Sequence, residues 1–289
     1  MPRGLIVLLA SCLTVGVVAS GGPTGPCAPS VPGDADRLRV MTWNIGHGRG
    51  TAINQLLVSR KKTYRNLDRI AAVLERSEVD VVALQEADGP SRWSGGFDHV
   101  EHVAVLSGLT CAVHGVHAEG GMFRYGTALL SRRGLREARS HRFPPSRPTL
   151  RKGFVRAVVD WRVDGRVVPV TVVSVHLDYS RESVREVQVA EMIAELTDSP
   201  TPRIVMGDLN AGWERDDSIV RELAAGLRLQ PIEPEAPGFG TYKSADGKRL
   251  DWILISDDLR FTRHEVLRER LSDHLAVLAD VELVAPGDR

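Results

Sequence analysis

The chain has 289 residues, 43% of them hydrophobic and 26% charged, with Lys plus Arg and Asp plus Glu equal at 37 each. Those proportions are ordinary for a globular chain with a sizeable core, so disorder is not the default, and the even balance excludes the overall basic excess by which a protein grips nucleic acid regardless of sequence, though not a local basic cleft. Length alone accommodates one large domain or two small ones.

Met1-Pro2-Arg3 opens a short positive segment, and an apolar run, GLIVLLASCLTVGVVA, follows it before Ala19, Ser20, Gly21 and Gly22. That layout predicts a secretory signal peptide over residues 1–22 and a secreted or envelope-attached protein, with an uncleaved N-terminal anchor as the alternative. No later run is apolar for the roughly 18 residues a spanning helix needs. Leu9-Ala10-Ser11-Cys12 resembles a lipoprotein cleavage box, but the apolar region before it is very short, so lipidation is not the reading adopted. Cleavage near residues 20–22 leaves Cys27 and Cys111. An exported pair can bond, but two unbonded thiols are the expectation, and no Cys and His spacing indicates zinc. Residues 23–37, rich in Pro, Gly and small polar residues, read as a linker, 38–284 as a single domain and 285–289 as a tail.

Residues 39–45 form a strand-like run, and a helix is predicted over 64–76, where Leu67, Ile70, Ala71 and Leu74 share a face. VDVVALQE is apolar on both faces, as a central strand between two layers must be, and ends in Glu86. After the glycine-rich loop ADGPSRWSGGF come a helix over 98–109 and strands at 111–117 and 127–131. Two β-branched runs, 154–161 and 166–176, flank an Asp-Gly turn and predict a hairpin closing on His176. Ser183 and Glu186 fit a capping box for a helix burying Val187, Ala190 and Ile193. The strand RIVM then leads into GDLN, a helix is predicted over 217–227, and the strand RLDWILIS and a last strand after SDH complete one α/β domain without repeats.

Polar groups cluster at the ends of these apolar strands: Asn44, Glu86, His176, Asp208 with Asn210, Asp251, and Asp273 with His274. Buried strand ends exclude charge unless it is paired or metal-bound, so a convergent set points to a site at one rim of a sheet sandwich. Carboxylates and amide oxygens without cysteine suit a hard cation, Mg2+ or Mn2+, and two histidines add proton carriers. The chemistry implied is hydrolysis of a phosphate ester by activated water.

Taken in order, MTWNIGHG, VDVVALQE, YGTALLSR, VVSVHLD, IVMGDLNA, RLDWILIS and SDHLAV resemble the endonuclease/exonuclease/phosphatase superfamily over nearly all of residues 38–284. The resemblance implies a four-layered αββα sandwich with the site at one edge. It implies Glu86 as the main metal ligand, assisted by Asn44 and Asp273. Asp208 would activate or orient water with Asn210 as its partner, Asp251 would hold His274 in one tautomer, and His176 would contact a phosphate oxygen or the leaving group.

Other residues remain open at this level. His47 is placed near the cleft, whereas His99, His102, His114, His117, His141 and His264 show no ligand spacing. Arg124, Arg147, Arg151, Lys152 and Arg156 read equally as phosphate contacts or as a solvated charge run, and Trp93 and Trp213 as stacking or loop-anchoring rings. A monomeric, secreted, metal-dependent phosphoesterase is the expectation. Its alternatives are a silent binding module for a phosphate-bearing lipid or partner, and an extracellular endonuclease, with nucleic acid less favoured than membrane lipid or small esters.

Overall fold

The computed structural model describes residues 16–18, 27, 35–199, 202–216, 218–244 and 246–285. Apart from the backbone of Gly16–Val18, the expected signal peptide lies outside them, as do most of the linker and residues 286–289 of the tail.

Two mixed sheets stack face to face. In one, β1 (Gly16–Val18), β4 (Cys111–Glu119), β5 (Arg124–Ser131), β3 (Val81–Asp88), β2 (Leu38–Asn44), β13 (Val277–Leu283) and β12 (Leu259–Val266) lie side by side in that order. In the other the order is β10 (Leu229–Gln230), β11 (Asp251–Ser256), β9 (Arg203–Asp208), β8 (Arg166–His176), β7 (Gly153–Val163) and β6 (Leu135–Arg142). β2 and β3 run parallel because α1 (Arg60–Arg76) crosses between them, and β8 and β9 likewise through α3 (Glu182–Leu196). The remaining helices are α2 (His99–Ser107) and α4 (Ile219–Leu227).

Strand alternation sorts the core into three layers. Along β2 and β3, Val40, Val81 and Ala83 face the second sheet and meet Val155, Ala157, Val172, Ile204 and Ile253. Met41, Trp43, Val82 and Leu84 face the opposite way, onto Leu67, Ile70 and Leu74 of α1 and Val100 and Val103 of α2. Val173, Val175, Trp252 and Leu254 do the same against Val189, Met192 and Leu196 of α3 and Leu223 of α4. The result is the expected four-layered αββα sandwich in one domain. Each large side chain buried this way contributes about 2 to 3 kcal/mol.

Differences from the sequence reading have local causes. β6 and β12 are edge strands whose exposed faces carry Arg and Glu, so they lack the apolar alternation that reveals a strand. α1 begins earlier than expected, because Ser59 Oγ accepts from Lys62 N. The capping box at Ser183 and Glu186 does not form. Arg181 occupies the N-cap without a side-chain cap, and Asp178 Oδ1 already accepts from the amides of Ser180, at 2.8 Å, and Arg181, at 3.0 Å. The buried face of α3 is therefore Gln188, Val189, Met192 and Leu196; Val187 and Ala190 are exposed and Ile193 half-buried. Cys27 and Cys111 are bonded to each other, against the expectation of two thiols.

Asp178 also accepts from Ser146 and Thr149, so one carboxylate ties the 146–149 loop to its own turn just after His176. Burial opposes its charge, but these donors hold its pKa at about 2, down from 3.8. A depressed carboxyl pKa contributes stability that is complete above 3.8 and lost as pH falls through about 2. Asp178→Ala is accordingly expected to cost about 1 to 2 kcal/mol at neutral pH, after allowance for solvent screening. Urea titrations should show that difference shrinking toward zero in strong acid.

Candidate active site

Each strand end delivers one polar group to a cleft of about 600 Å3 at the same rim of both sheets. Asn44 ends β2; its Nδ2 donates to Asp208 Oδ2 at 2.9 Å, and its Oδ1 accepts from Gly46 N at 3.0 Å. Asp208 ends β9 opposite His176, the end of β8. The glycine before it is required: Gly207 has φ +152, and a Cβ there would lie 2.0 Å from the Val175 carbonyl oxygen. Asn210 follows at φ 51, a left-handed conformation Asn tolerates, with its amide donating to Asp208 Oδ1 at 3.0 Å and Nδ2 to Leu177 O at 3.1 Å.

Glu86 is aimed by a bulge. The register of β3 against β5 shifts between Gln85 and Ala87, and Glu86 at φ 49 turns its carboxylate out of the pleat into the cleft. Two indole N–H groups pin the loops beside the site, Trp43 on His274 O at 3.1 Å and Trp252 on Ala211 O at 2.9 Å. A polar pair, Gln85 Nε2 on Ser174 Oγ at 3.2 Å, links the two sheets below them.

The electrostatics divide the cleft. On one side His274 Nδ1 meets Asp251 Oδ2 at 2.8 Å, and its Nε2 lies 3.8 Å from Asp208 Oδ2. Burial disfavours the imidazolium, but Asp251 and then Asp208 outweigh it and raise His274 to about 10. Burial raises Asp208 to about 7, with His274 pulling the other way. His176 Nε2 is 3.4 Å from the same Asp208 oxygen. Burial, reinforced by Lys152, keeps His176 well below its usual range and hence neutral.

On the other side Arg49 bridges two carboxylates, Nη1 to Glu86 Oε2 at 3.0 Å and Nη2 to Asp273 Oδ2 at 2.7 Å. Burial opposes the charge on Glu86, yet His47, Lys152 and Arg49 together hold it well below the ordinary carboxylate range. Behind it His47 spans Glu86 Oε2, at 3.3 Å, and Asp88 Oδ1, at 2.8 Å, and Asp88 takes further bonds from Trp93 Nε1 and Ser94 Oγ.

All eight predicted residues meet here, Asp251 from behind His274. Arg49 and Asp88 have no place in the sequence reading, which leaves Lys152 open between a phosphate contact and a solvated charge. Lys152 is 5% exposed, and its Nζ lies 3.0 Å from His176 Nε2. Arg124 instead pairs with Glu119 and Arg156 donates to Ser199. Both tryptophans anchor loops: Trp93 bonds Asp88 and stacks on Phe123, and Trp213 lies under Arg221. Arg249 packs over Trp252 and donates to the Ile232 and Glu233 carbonyls rather than pairing with Asp251 or Asp273.

Two oxygen-bearing sets come into question for a metal. Asp208, Asp251 and His274 offer atoms within 4.8 Å of one another, but Asp251 engages the His274 imidazole at 2.8 Å and both carboxylates favour its protonated form. Glu86, Asp273 and Asn44 offer only oxygens, and Glu86 and Asp273 already grip one cation, the Arg49 guanidinium. That donor set fits Mg2+ or Mn2+.

Residues 41–274 match the description "Endonuclease/Exonuclease/phosphatase family". No curated protein matches the chain. Among solved structures it is similar to an endonuclease/exonuclease/phosphatase from Beutenbergia cavernae, at 23% identity and TM-score 0.64 over 86% of this chain and 72% of that one. The human Nocturnin catalytic domain with bound sulfate gives 20% and 0.64, over 86% and 94%. A Bacteroides thetaiotaomicron mannosyl-6-phosphatase gives 15% and 0.62, over 86% and 100%. At these identities the likeness is one of fold.

Proposed function

Because the chain belongs to the endonuclease/exonuclease/phosphatase family, we propose that it is a divalent-metal-dependent hydrolase of phosphate esters. The observation that carries this reading is the pairing of a buried carboxylate raised to about 7, Asp208, with an imidazole raised to about 10, Asp251-supported His274, on one wall of the cleft. Two groups whose environments separate their proton affinities in this way can act as base and acid at the same pH.

Asn44 and Asn210 hold the two oxygens of Asp208, so its carboxylate is fixed where it can accept a proton from an attacking water. The Nε2–H of His274 is directed toward Asp208, where it can donate to a phosphoryl oxygen as charge develops. Neutral His176, with Lys152 against its ring, supplies a further donor on the same side of the cleft as Asp208. Glu86, Asp273 and Asn44 would hold the metal, which when bound neutralises phosphate charge. The charged and polar lining is suited to ester phosphate rather than an apolar ligand.

Export is part of the proposal. The N-terminal charge, apolar run and small residues support it, and the Cys27–Cys111 bond is of the kind that persists outside the reducing cytosol.

The test is release of p-nitrophenol from bis-p-nitrophenyl phosphate and p-nitrophenyl phosphate, with Mg2+, with Mn2+ and with EDTA, beside Glu86→Ala. Metal-dependent release lost in the variant is expected. Release that survives both EDTA and the substitution would refute the assignment.

A further inference from the structure

Beside the cleft lies a surface that hydrolysis does not use. The chain leaves Arg49 and runs over the exterior to Ser59, and a short 3-10 turn on the way, Gln55–Leu57, has no buried residue. Ile53 is 98% exposed, Leu57 81% and Leu56 59%. The segment is nonetheless ordered by its own caps: Asn54 Oδ1 accepts from Leu56 N at 2.9 Å, and Ser59 Oγ from Lys62 N at 3.3 Å. The turn packs on another, Arg92–Ser94. There Trp93 N donates to the carbonyl of Met122, itself 52% exposed. Aliphatic side chains held out in water by a capped loop forgo the burial that normally places them inside.

The helix that follows is as unusual in charge as the loop is in polarity. Arg60, Lys61, Lys62 and Arg65 of α1 are exposed, and its first turn has no acidic residue. Cations at a helix N-terminus face the positive end of the dipole, an arrangement that costs stability. Apolar tips backed by a basic cluster match a surface that is apolar within and anionic at its border.

We propose that residues 53–65 dock the protein on an anionic lipid bilayer, with Ile53, Leu56 and Leu57 entering the headgroup region. Arg60, Lys61, Lys62 and Arg65 pair with lipid phosphates, so that the cleft opens beside the membrane. A nucleic acid fits less well, because aliphatic tips offer no ring face for a base and would stay in water along a phosphate backbone.

Docking is read without turnover, so it stands or falls independently of the hydrolase assignment. The purified chain is sedimented with phosphatidylcholine vesicles and with vesicles of equal parts phosphatidylcholine and phosphatidylglycerol. Leu56→Ser/Leu57→Ser and Lys61→Glu/Lys62→Glu variants are run beside it, and melting curves establish that each is folded. Expected are binding to the anionic vesicles that weakens with salt, and an affinity about tenfold lower or worse in either variant, with hydrolysis of a soluble ester unchanged. The proposal is overturned if the wild type stays in the supernatant, if both variants sediment like the wild type, or if the basic cluster binds duplex DNA while vesicles are ignored.

Discussion

Asp208→Asn is expected to lower kcat by roughly 10³-fold with little change in KM, because the amide keeps the shape of the carboxylate but cannot take a proton. The fold should not suffer. A carboxyl raised by burial from 3.8 to about 7 weakens the folded state as pH rises between those values, so its removal relieves a penalty. His274 stabilises where Asp208 penalises, but with the same pH slope: its contribution is complete below 6.5 and lost as pH rises through about 10. Thermal melts of the wild type should therefore decline toward alkaline pH, while the variant at neutral pH melts no lower than the wild type. Activity and folded protein lost in parallel would remove Asp208 from the chemistry and make it a structural residue.

Arg49→Met is expected to lower the melting temperature without metal by about 4 to 8 °C, corresponding to about 2 kcal/mol. The guanidinium is the cation between Glu86 and Asp273, and without it two partly buried carboxylates face each other unpaired. A divalent ion can take its place. Added Mg2+ or Mn2+ should therefore raise the melting temperature of the variant considerably more than that of the wild type, where metal must compete with Arg49. Identical responses of the two proteins would show that Arg49 does not guard the metal position.

The residues read from sequence were those whose neighbours along the chain betray them. Asn44, Glu86, His176 and Asp208 each end a run of buried apolar residues, where an unpaired polar group is costly, so their position alone raised the question of function. Asp251 and His274 were legible in the same way, although only the structure shows them 2.8 Å apart. Lys152 was hidden because it stands among arginines that do face solvent, and its burial depends on how β7 pairs with β8. Arg49 and Asp88 act through partners 37 and 41 residues away, distances that no local pattern encodes. The misplaced face of α3 has a similar origin. A capping motif at Ser183 is plausible in isolation, but Asp178 fixes the turn before it through the Ser180 and Arg181 amides, the helix begins at Glu182, and the Arg185 amide bonds the Arg181 carbonyl, which places Ser183 inside the first turn.

The cleft draws Asn44 and Glu86 from one sheet and His176, Asp208 and Asp251 from the other, joined across the divide by the Asn44 to Asp208 hydrogen bond. Neither half holds a working set, so no partly assembled chain can turn over substrate however much secondary structure it has formed. In refolding from denaturant, recovery of activity is then a clock for the docking of the two sheets. It should lag the return of far-ultraviolet circular dichroism and coincide with burial of the side chains between the layers.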